Sequence, residues 1–465
     1  MLKEIIKSSP DFIRKPAIYV YMNIPDYIRY GHMYRKQYKF LQEAQWWTKE
    51  KQEEYQMEQI TKLLNHAYEN VPYYTKVFNE KGIKPKDIQN FNDLKQLPYL
   101  TKEIIRENLK DLTAVNYKKS KLFLKTTGGT SALPMSFYID PKVDRTREWA
   151  FVSNIWSRIG YDIKRNNRSV IIRGNVPEKG LYQYKGRDLI LSSFKLTEDN
   201  MKLYLELIED FNPHFLQVYP SSIHILSKYI LQNNIKVILP KLKSVICSSE
   251  NFHGYQRPDI EEAFGVKVYS FYGHTEHACL ASECEESSFF HIDSQYGYTE
   301  IINASGEEVF REDEVGEIVA TGFNNYVMPF IRYKTGDMVV HTNEKCSCGR
   351  EGKRFKKVEG RRQDYLIDRF GMLITLTCSH YVLSNVKHKI SSYQYVQNEP
   401  GKVILNIQCT QKLNAEDMKG IMKVYRYYYP DLELKVNIVD FIERTKAGKF
   451  KFLVQNLDII KPEGE

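Results

Sequence analysis

The stretch Lys125-Thr126-Thr127-Gly128-Gly129-Thr130-Ser131-Ala132-Leu133-Pro134 places four hydroxyl side chains and two glycines in the six positions 126–131. Glycine lets the backbone approach an anion closely, and hydroxyls with backbone N–H groups can hold phosphate oxygens. No Gly-Lys-Ser/Thr follows, so this is not a Walker loop; by itself, a Ser/Thr/Gly cluster is a turn signal. A second stretch, Phe271-Tyr272-Gly273-His274-Thr275-Glu276-His277, follows a β-rich run. A carboxylate there, beside phosphates, can hold Mg2+; the plain alternative is a polar loop with a charged tip. In Arg332-Tyr333-Lys334-Thr335-Gly336-Asp337, the Asp337 carboxylate can accept two hydrogen bonds from a ribose diol, or the segment is a turn between strands. Gly360-Arg361-Arg362-Gln363-Asp364 stands where the composition shifts, and Arg444-Thr445-Lys446-Ala447-Gly448-Lys449 forms a basic loop further on.

A separate set is built from soft ligands. Cys346-Ser347-Cys348-Gly349 reads as a turn, and Cys284 and His291 lie shortly after the Tyr272–Glu276 stretch. Three thiolates and an imidazole can make a tetrahedral zinc site. Cys279, His274 and His277 are rival ligands, and reduced surface thiols are the bland alternative. The seven cysteines are too sparse and odd in number for a disulfide framework.

The elements that would position these groups are legible in the hydrophobic pattern. Short β-rich runs at Ser169–Ile172, Phe215–Val218, Leu242–Ile246 and Val266–Ser270 alternate with helical stretches such as Ser221–Leu231. That alternation predicts βαβ units on a mixed, largely parallel sheet with helices. Glu314–Thr321 and Met338–His341 add strands, possible antiparallel ones. Upstream, Met57, Ile60, Leu63, Leu64 and Ala67 mark an amphipathic helix that stops before Val71-Pro72, and Thr101 followed by Glu103 marks a helix start. After Gly360, a hairpin around Arg369-Phe370-Gly371, a strand at Val403–Cys409, a helix over Asn414–Tyr428 and a strand at Leu434–Phe441 predict a small α+β domain. The expected division is therefore a large α/β domain over 1–362 and a smaller α+β domain over 363–465.

Residues 1–50 form a basic, Tyr-rich extension. Tyr27, Tyr30, Tyr34 and Tyr38 share one helical face. The expectation is a helix docked by its aromatic stripe; the rival is a membrane-surface or partner-binding segment. The chain has 465 residues, 42% hydrophobic and 27% charged, with a formal net charge of +9. No apolar run approaches the roughly 18 residues that span a bilayer, and no signal peptide is legible, so a reducing cytoplasmic setting is expected. The excess charge is read as Lys-rich solubility, with no long basic block to favour nucleic acid.

Taken together and in order, these motifs resemble the adenylate-forming superfamily, which includes acyl-CoA synthetases and the adenylation domains of peptide synthetases. The similarity is greatest to its phenylacetate–CoA ligase-like branch and to CapK-type capsule-biosynthesis proteins. It extends from about residue 55 and includes Asn70-Val71-Pro72-Tyr73-Tyr74 and Leu97-Pro98-Tyr99-Leu100-Thr101-Lys102. The resemblance implies that Thr126, Thr127, Gly128, Gly129, Thr130 and Ser131 hold the β- and γ-phosphates of ATP. It implies that Ser248-Ser249-Glu250 lines the adenine, Tyr272 stacks on it, and Thr275 sits near the α-phosphate. Glu276 would bind Mg2+, Asp337 would hold the ribose with Arg361 nearby, Asp364 would be the hinge of a mobile C-terminal lid, and Lys449 would be the catalytic lysine. Ala132 departs from the glycine common at its position in this branch. The implied reaction activates a carboxylic acid as acyl-AMP. The acceptor is then a sugar amine, another amino compound, a hydroxyl or CoA, and the setting is surface polysaccharide synthesis. A phenylacetate-type aryl- or acyl-CoA ligase is the rival enzyme, and a non-catalytic nucleotide-binding scaffold the rival of another class. A related Cys/His set in similar chains supports structural zinc at Cys284, His291, Cys346 and Cys348.

Negative charge gathers on the phosphate oxygens as pyrophosphate leaves, so a cation at Lys449 acts on the transition state. Lys449→Ala is expected to slow acid-dependent AMP formation by about 10²–10³; an unchanged rate would refute that role.

Overall fold

The computed structural model describes residues 20–127, 135–141, 143–173, 177, 180–303, 305–361, 365–370, 373–375, 382–444 and 450–457. Helix Lys49–Asn70 starts at Thr48, whose hydroxyl accepts from the Lys51 N–H at 3.4 Å, and buries Ile60, Leu63, Leu64 and Ala67 along one stripe. Pro72 dictates its end. Val71 is extended, and Pro72 becomes the first residue of helix Pro72–Lys81. Thr101 caps helix Lys102–Glu107 through the Ile104 N–H at 3.3 Å.

A twelve-stranded sheet forms the body. Its parallel part comprises Asp188–Leu191, Ser169–Ile172, Phe215–Val218, Ser244–Cys247 and Val268–Gly273. Helices Glu198–Phe211, Pro220–Gln232 and Gln256–Phe264 connect these strands, burying Tyr204, Ile208, Ile223, Leu226 and Ile260 against Val170, Leu216 and Val245. Beyond Val268–Gly273 the sheet continues antiparallel through Leu280–Ser282, Phe290–Ile292, Arg354–Arg361, Tyr333–Thr342, Val315–Gly322 and Gly297–Ile302, and at the opposite edge Tyr182–Lys185 pairs antiparallel with Asp188–Leu191. The sheet is mixed, as expected. Parallel pairing takes a narrower share than the βαβ alternation suggested, because short reversals after Gly273 replace crossover helices.

Helix Gly31–Ala44 lies on this body through Tyr34 and Leu41, which pack with Ala150, Phe151, Ile155 and Trp156. The Tyr34 hydroxyl donates to Ser153 Oγ at 2.8 Å, and Tyr30, Tyr34 and Tyr38 form the expected aromatic stripe, with ring centroids 5.2 and 6.2 Å apart. Tyr27 departs from it: it sits on the separate short helix Asp26–Arg29, half exposed beneath Arg35. Asp26 of that helix is fully buried and receives Arg187 at 2.6 Å, Arg29 at 2.8 Å, the Tyr161 hydroxyl at 2.5 Å and the Trp149 indole N–H at 2.9 Å.

The C-terminal region folds on its own core. Strands Glu433–Val439, Lys402–Cys409, Ile390–Glu399 and Leu453–Gln455 form a four-stranded sheet, antiparallel in the middle and parallel at both edges. Helix Ala415–Tyr428 starts at an Asn414–Asp417 capping box and packs Ile421 and Tyr425 against Tyr395, Leu405 and Ile407. The expected hairpin pairs Tyr365–Ile367 with Leu373–Thr375. Among the described residues, no helix is long and apolar enough to cross a membrane.

Removing Asp26 would strand two guanidinium groups in a dry site. Asp26→Ala is expected to lower stability by about 3–5 kcal/mol in urea unfolding; a midpoint equal to that of the unaltered chain would contradict this reading.

Candidate active site

A cleft of about 1390 Å3 runs between the strand ends of the large sheet and the C-terminal sheet. Thr127, Glu250, Tyr272, Thr275, Glu276 and Asp337 all line it, facing Tyr393, Phe450 and Phe452. Segments remote in sequence therefore share one cavity, as binding of a single nucleotide requires.

Thr126 ends strand Phe123–Thr126, paired with Ser136–Ile139, and its hydroxyl lies 3.0 Å from that of Ser136. Thr127 closes the neck of the loop: its N–H donates to the Met135 carbonyl at 2.8 Å and its hydroxyl accepts from the Met135 N–H at 3.1 Å. Gly128, Gly129, Thr130 and Ser131 lie outside the described residues, as do Asp364 and Lys449.

Strand Val268–Gly273 delivers Tyr272 to the cleft, and the following turn exposes Thr275 and buries Glu276. Glu276 accepts from the Tyr333 hydroxyl at 2.9 Å and from His274 Nδ1 at 3.2 Å. His274 Nε2 accepts from the Cys279 N–H at 3.2 Å, which leaves the ring proton on Nδ1. Burial pushes the Glu276 carboxyl up. The bond from His274, its own backbone N–H and Tyr333 outweigh that and bring it to about 2. An ionised carboxylate on the cleft wall, with lone pairs beyond those two bonds, fits a hard divalent cation. Asp337 receives the Tyr272 hydroxyl at 2.7 Å and lies opposite Arg361 in the strand ladder. The residues assigned to adenine and ribose are thus in direct contact.

Ser249 adopts a left-handed φ of 70° at the end of strand Ser244–Cys247. Glu250, next to it, accepts from the Ser221 N–H at 3.1 Å and from the Phe450 N–H. Arg444 opposes the rise that burial imposes on the Glu250 carboxyl, and its guanidinium donates to Ser221 Oγ at 3.2 Å. Arg444 and Phe450, one from each side of the Lys449 stretch, are therefore tied to the cleft.

One group on the wall carries no motif. Glu148, the first residue of helix Glu148–Ser157, pairs with His277 Nδ1 at 2.7 Å and accepts from the Tyr296 hydroxyl at 2.7 Å, while Lys125 Nζ lies 3.0 Å from His277 Nε2. Burial pushes the Glu148 carboxyl up, but His277 holds it below its ordinary value. In the sequence His277 reads as a rival metal ligand and Lys125 only as the first residue of the Thr/Gly stretch, with nothing to join either to Glu148.

The soft-ligand set converges elsewhere. One ligand atom from each of Cys284, His291, Cys346 and Cys348 lies within 4.8 Å of the others. Cys284 and Cys346 sulfurs are 3.5 Å apart, and Cys348 Sγ is 3.8 Å from His291 Nε2. A tetrahedron with Zn–S of about 2.3 Å has edges of about 3.8 Å, so the spacing fits zinc. Backbone N–H groups of Ser287 and Arg350 donate to Cys284 and Cys348 at 3.3 and 3.4 Å. Burial, with Arg158, Arg354 and Arg350 nearby, lowers His291 to about 3, keeping the ring neutral as a ligand must be. The rivals are engaged elsewhere: His274 on Glu276, His277 on Glu148, and Cys279 with the Thr299 hydroxyl at 3.5 Å.

Residues 366–456 match a family described as the CapK C-terminal domain. The chain is 26% identical over 416 residues to Protein CapK of Staphylococcus aureus, covering 87% of this chain and 89% of that protein. It is 26% identical over 359 residues to a phenylacetate-coenzyme A ligase of Thermus thermophilus, covering 76% and 80%. Among solved structures, 2-hydroxyisobutyryl-CoA ligase in the postadenylation state with 2-HIB-AMP gives a TM-score of 0.67 at 17% identity, over 86% of this chain and 88% of that one. The same ligase in its thioesterification state gives 0.55, over 89% and 91%. The fold is shared.

Metal analysis tests the sulfur cluster without any assay of activity. The purified chain is expected to carry about one zinc, and Cys346→Ser with Cys348→Ser to abolish it and lower Tm. Metal-free protein with an unaltered Tm would refute the site.

Proposed function

We propose that this chain, a CapK-type, phenylacetate–CoA ligase-like member of the adenylate-forming superfamily, is an AMP-forming ligase that activates a carboxylic acid with ATP and passes the acyl group to a small acceptor. The observation that carries this reading is the single cleft joining Thr127, Glu250, Tyr272, Glu276 and Asp337.

In the first half-reaction a carboxylate oxygen forms a bond to the α-phosphorus, and the bond from that phosphorus to the bridging oxygen breaks, releasing pyrophosphate. Residues 126–131 would hold the β- and γ-phosphates. Tyr272 would lie against adenine, with Ser249 and Glu250 along its edge. Asp337 would take the ribose hydroxyls, exchanging the Tyr272 hydroxyl for one of them, with Arg361 beside it. Thr275 would donate to the α-phosphate and Lys449 to the oxygens gathering charge. Glu276 would hold Mg2+, which when bound offsets the charge of the phosphates. These groups position and neutralise; they form no covalent intermediate.

Residues 363–465 would act as the lid, turning about Asp364 between the two half-reactions. A separate core supports this, as do polar contacts of the docked face among the described residues: Lys228 to the Lys387 and Ile390 carbonyls, Gln232 to the His388 carbonyl at 2.9 Å, Arg444 to the Ser221 hydroxyl at 3.2 Å, and the Phe450 N–H to Glu250. Likeness to CapK supports a sugar amine or hydroxyl acceptor in surface polysaccharide synthesis. Likeness to the coenzyme A ligases supports CoA. The cysteine cluster would hold structural zinc outside the nucleotide cleft.

Acid-dependent ATP–pyrophosphate exchange across aryl, fatty, amino and uronic acids is expected to single out one class, and product analysis with CoA, amines or sugars then identifies the acceptor. Nucleotide binding with no exchange for any acid would instead support a scaffold.

A further inference from the structure

Arg173 follows strand Ser169–Ile172 at the carboxyl edge of the parallel strands, the edge where open α/β sheets bind ligands. Several buried or partly buried guanidiniums elsewhere in the chain meet a carboxylate: Arg187 meets Asp26, Arg332 meets Glu300, Arg257 meets Glu283 and Arg350 meets Glu285, whereas Arg158 donates to the Ser282 hydroxyl and the Glu283 carbonyl. Arg173 meets no carboxylate among the described residues. Its Nη2 donates to the hydroxyl of Ser248 and, at 3.3 Å, to that of Ser249. Burial lowers its affinity for its proton, opposed only by the Tyr219 hydroxyl and the Cys247 thiol.

A hydroxyl that accepts from arginine still has its own O–H to donate. Arg173, Ser248 and Ser249 therefore form a cluster able to offer several donors and a full positive charge. Ser249 lines the nucleotide cleft. The strands ending at Cys247 and Gly273 are neighbours, about 4.8 Å apart, so the Ser248–Ser249 pair that the guanidinium meets follows the strand next to the one that carries Tyr272. A partly buried cation with no carboxylate against it among the described residues is costly unless an anion arrives with the ligand.

We infer that Arg173, with Ser248 and Ser249, receives a second anionic oxygen group, carboxylate or phosphate, on the acid being activated, and so selects doubly anionic acids over neutral-tailed ones. This inference rests on the adenylation reading above and adds the class of substrate to it. The guanidinium fork would take two oxygens of the distal anion, leaving the reacting carboxylate to face the α-phosphate.

The test is pyrophosphate exchange with glutaric and adipic acids and with phosphoglyceric acid, against pentanoic and hexanoic acids, for the unaltered chain, Arg173→Met, Arg173→Lys and Ser249→Ala. A preferred dianionic acid is expected to exceed its neutral-tailed counterpart in kcat/KM by on the order of ten- to a hundredfold. Arg173→Met should erase that preference through the KM for the acid, leaving the KM for ATP unchanged, and Arg173→Lys should restore part of it. Ser249→Ala should reduce the preference, which covers the case of a methionine variant that fails to fold. Neutral-tailed acids exchanging equally well, or Arg173→Met raising the KM for ATP with the acid preference intact, would overturn the inference while leaving adenylation standing. No exchange with these or any other acid would remove adenylation itself, and this inference with it.

Discussion

Glu276 holds a negative charge with only 8% of its surface exposed. A carboxylate taken that far out of water would ordinarily protonate. It stays ionised because Tyr333, reaching from an antiparallel strand, and His274, fixed in one tautomer by the Cys279 N–H, both donate to it. The local arrangement serves that charge. Tyr333 is placed by the long strand Tyr333–Thr342, and His274 by the tight turn after Gly273. The same strand carries Asp337, so the support for Glu276 and the group assigned to ribose are fixed to each other by a few residues of extended backbone.

The sheet explains why the site lies where it does. Parallel strands joined by helices bring the ends of Ser169–Ile172, Phe215–Val218, Ser244–Cys247 and Val268–Gly273 to one edge, where Arg173, Ser221, Ser249 and Glu250 project. The antiparallel continuation supplies the other wall. The C-terminal region then closes the cleft through contacts that include the Phe450 N–H on Glu250, Arg444 on the Ser221 hydroxyl and the Phe452 ring against His253.

Much of this was legible in the sequence where a local physical rule acts alone. Pro72 ended one helix and began the next, Thr101 and Asn414 capped theirs, and the buried runs at Ser169–Ile172 and Phe215–Val218 became strands with those bounds. Cys284, His291, Cys346 and Cys348 could be grouped because the chemistry of thiolates and imidazole is distinctive. The Glu148–His277–Lys125 cluster was not legible: Glu148 has no motif around it, and its partner lies 129 positions away. Nor did local pattern separate His274 and His277 from the Cys284–His291–Cys346–Cys348 cluster, since only the fold decides which carboxylate each ring meets. The antiparallel half of the sheet was underweighted, because strands buried on both faces read alike in either direction. The assignments to Gly128, Gly129, Thr130, Ser131, Asp364 and Lys449 rest on resemblance alone.

The central claim is that a carboxylate oxygen attacks the α-phosphorus in the cleft walled by Glu276 and Asp337. It is tested most directly by running the reaction with the accepted acid labelled with heavy oxygen in its carboxylate, then weighing the nucleotide product. Attack at the α-phosphorus transfers a labelled oxygen to AMP when the acyl group passes to its acceptor. Label appearing in inorganic phosphate with ADP, or AMP formed without label, would contradict the account.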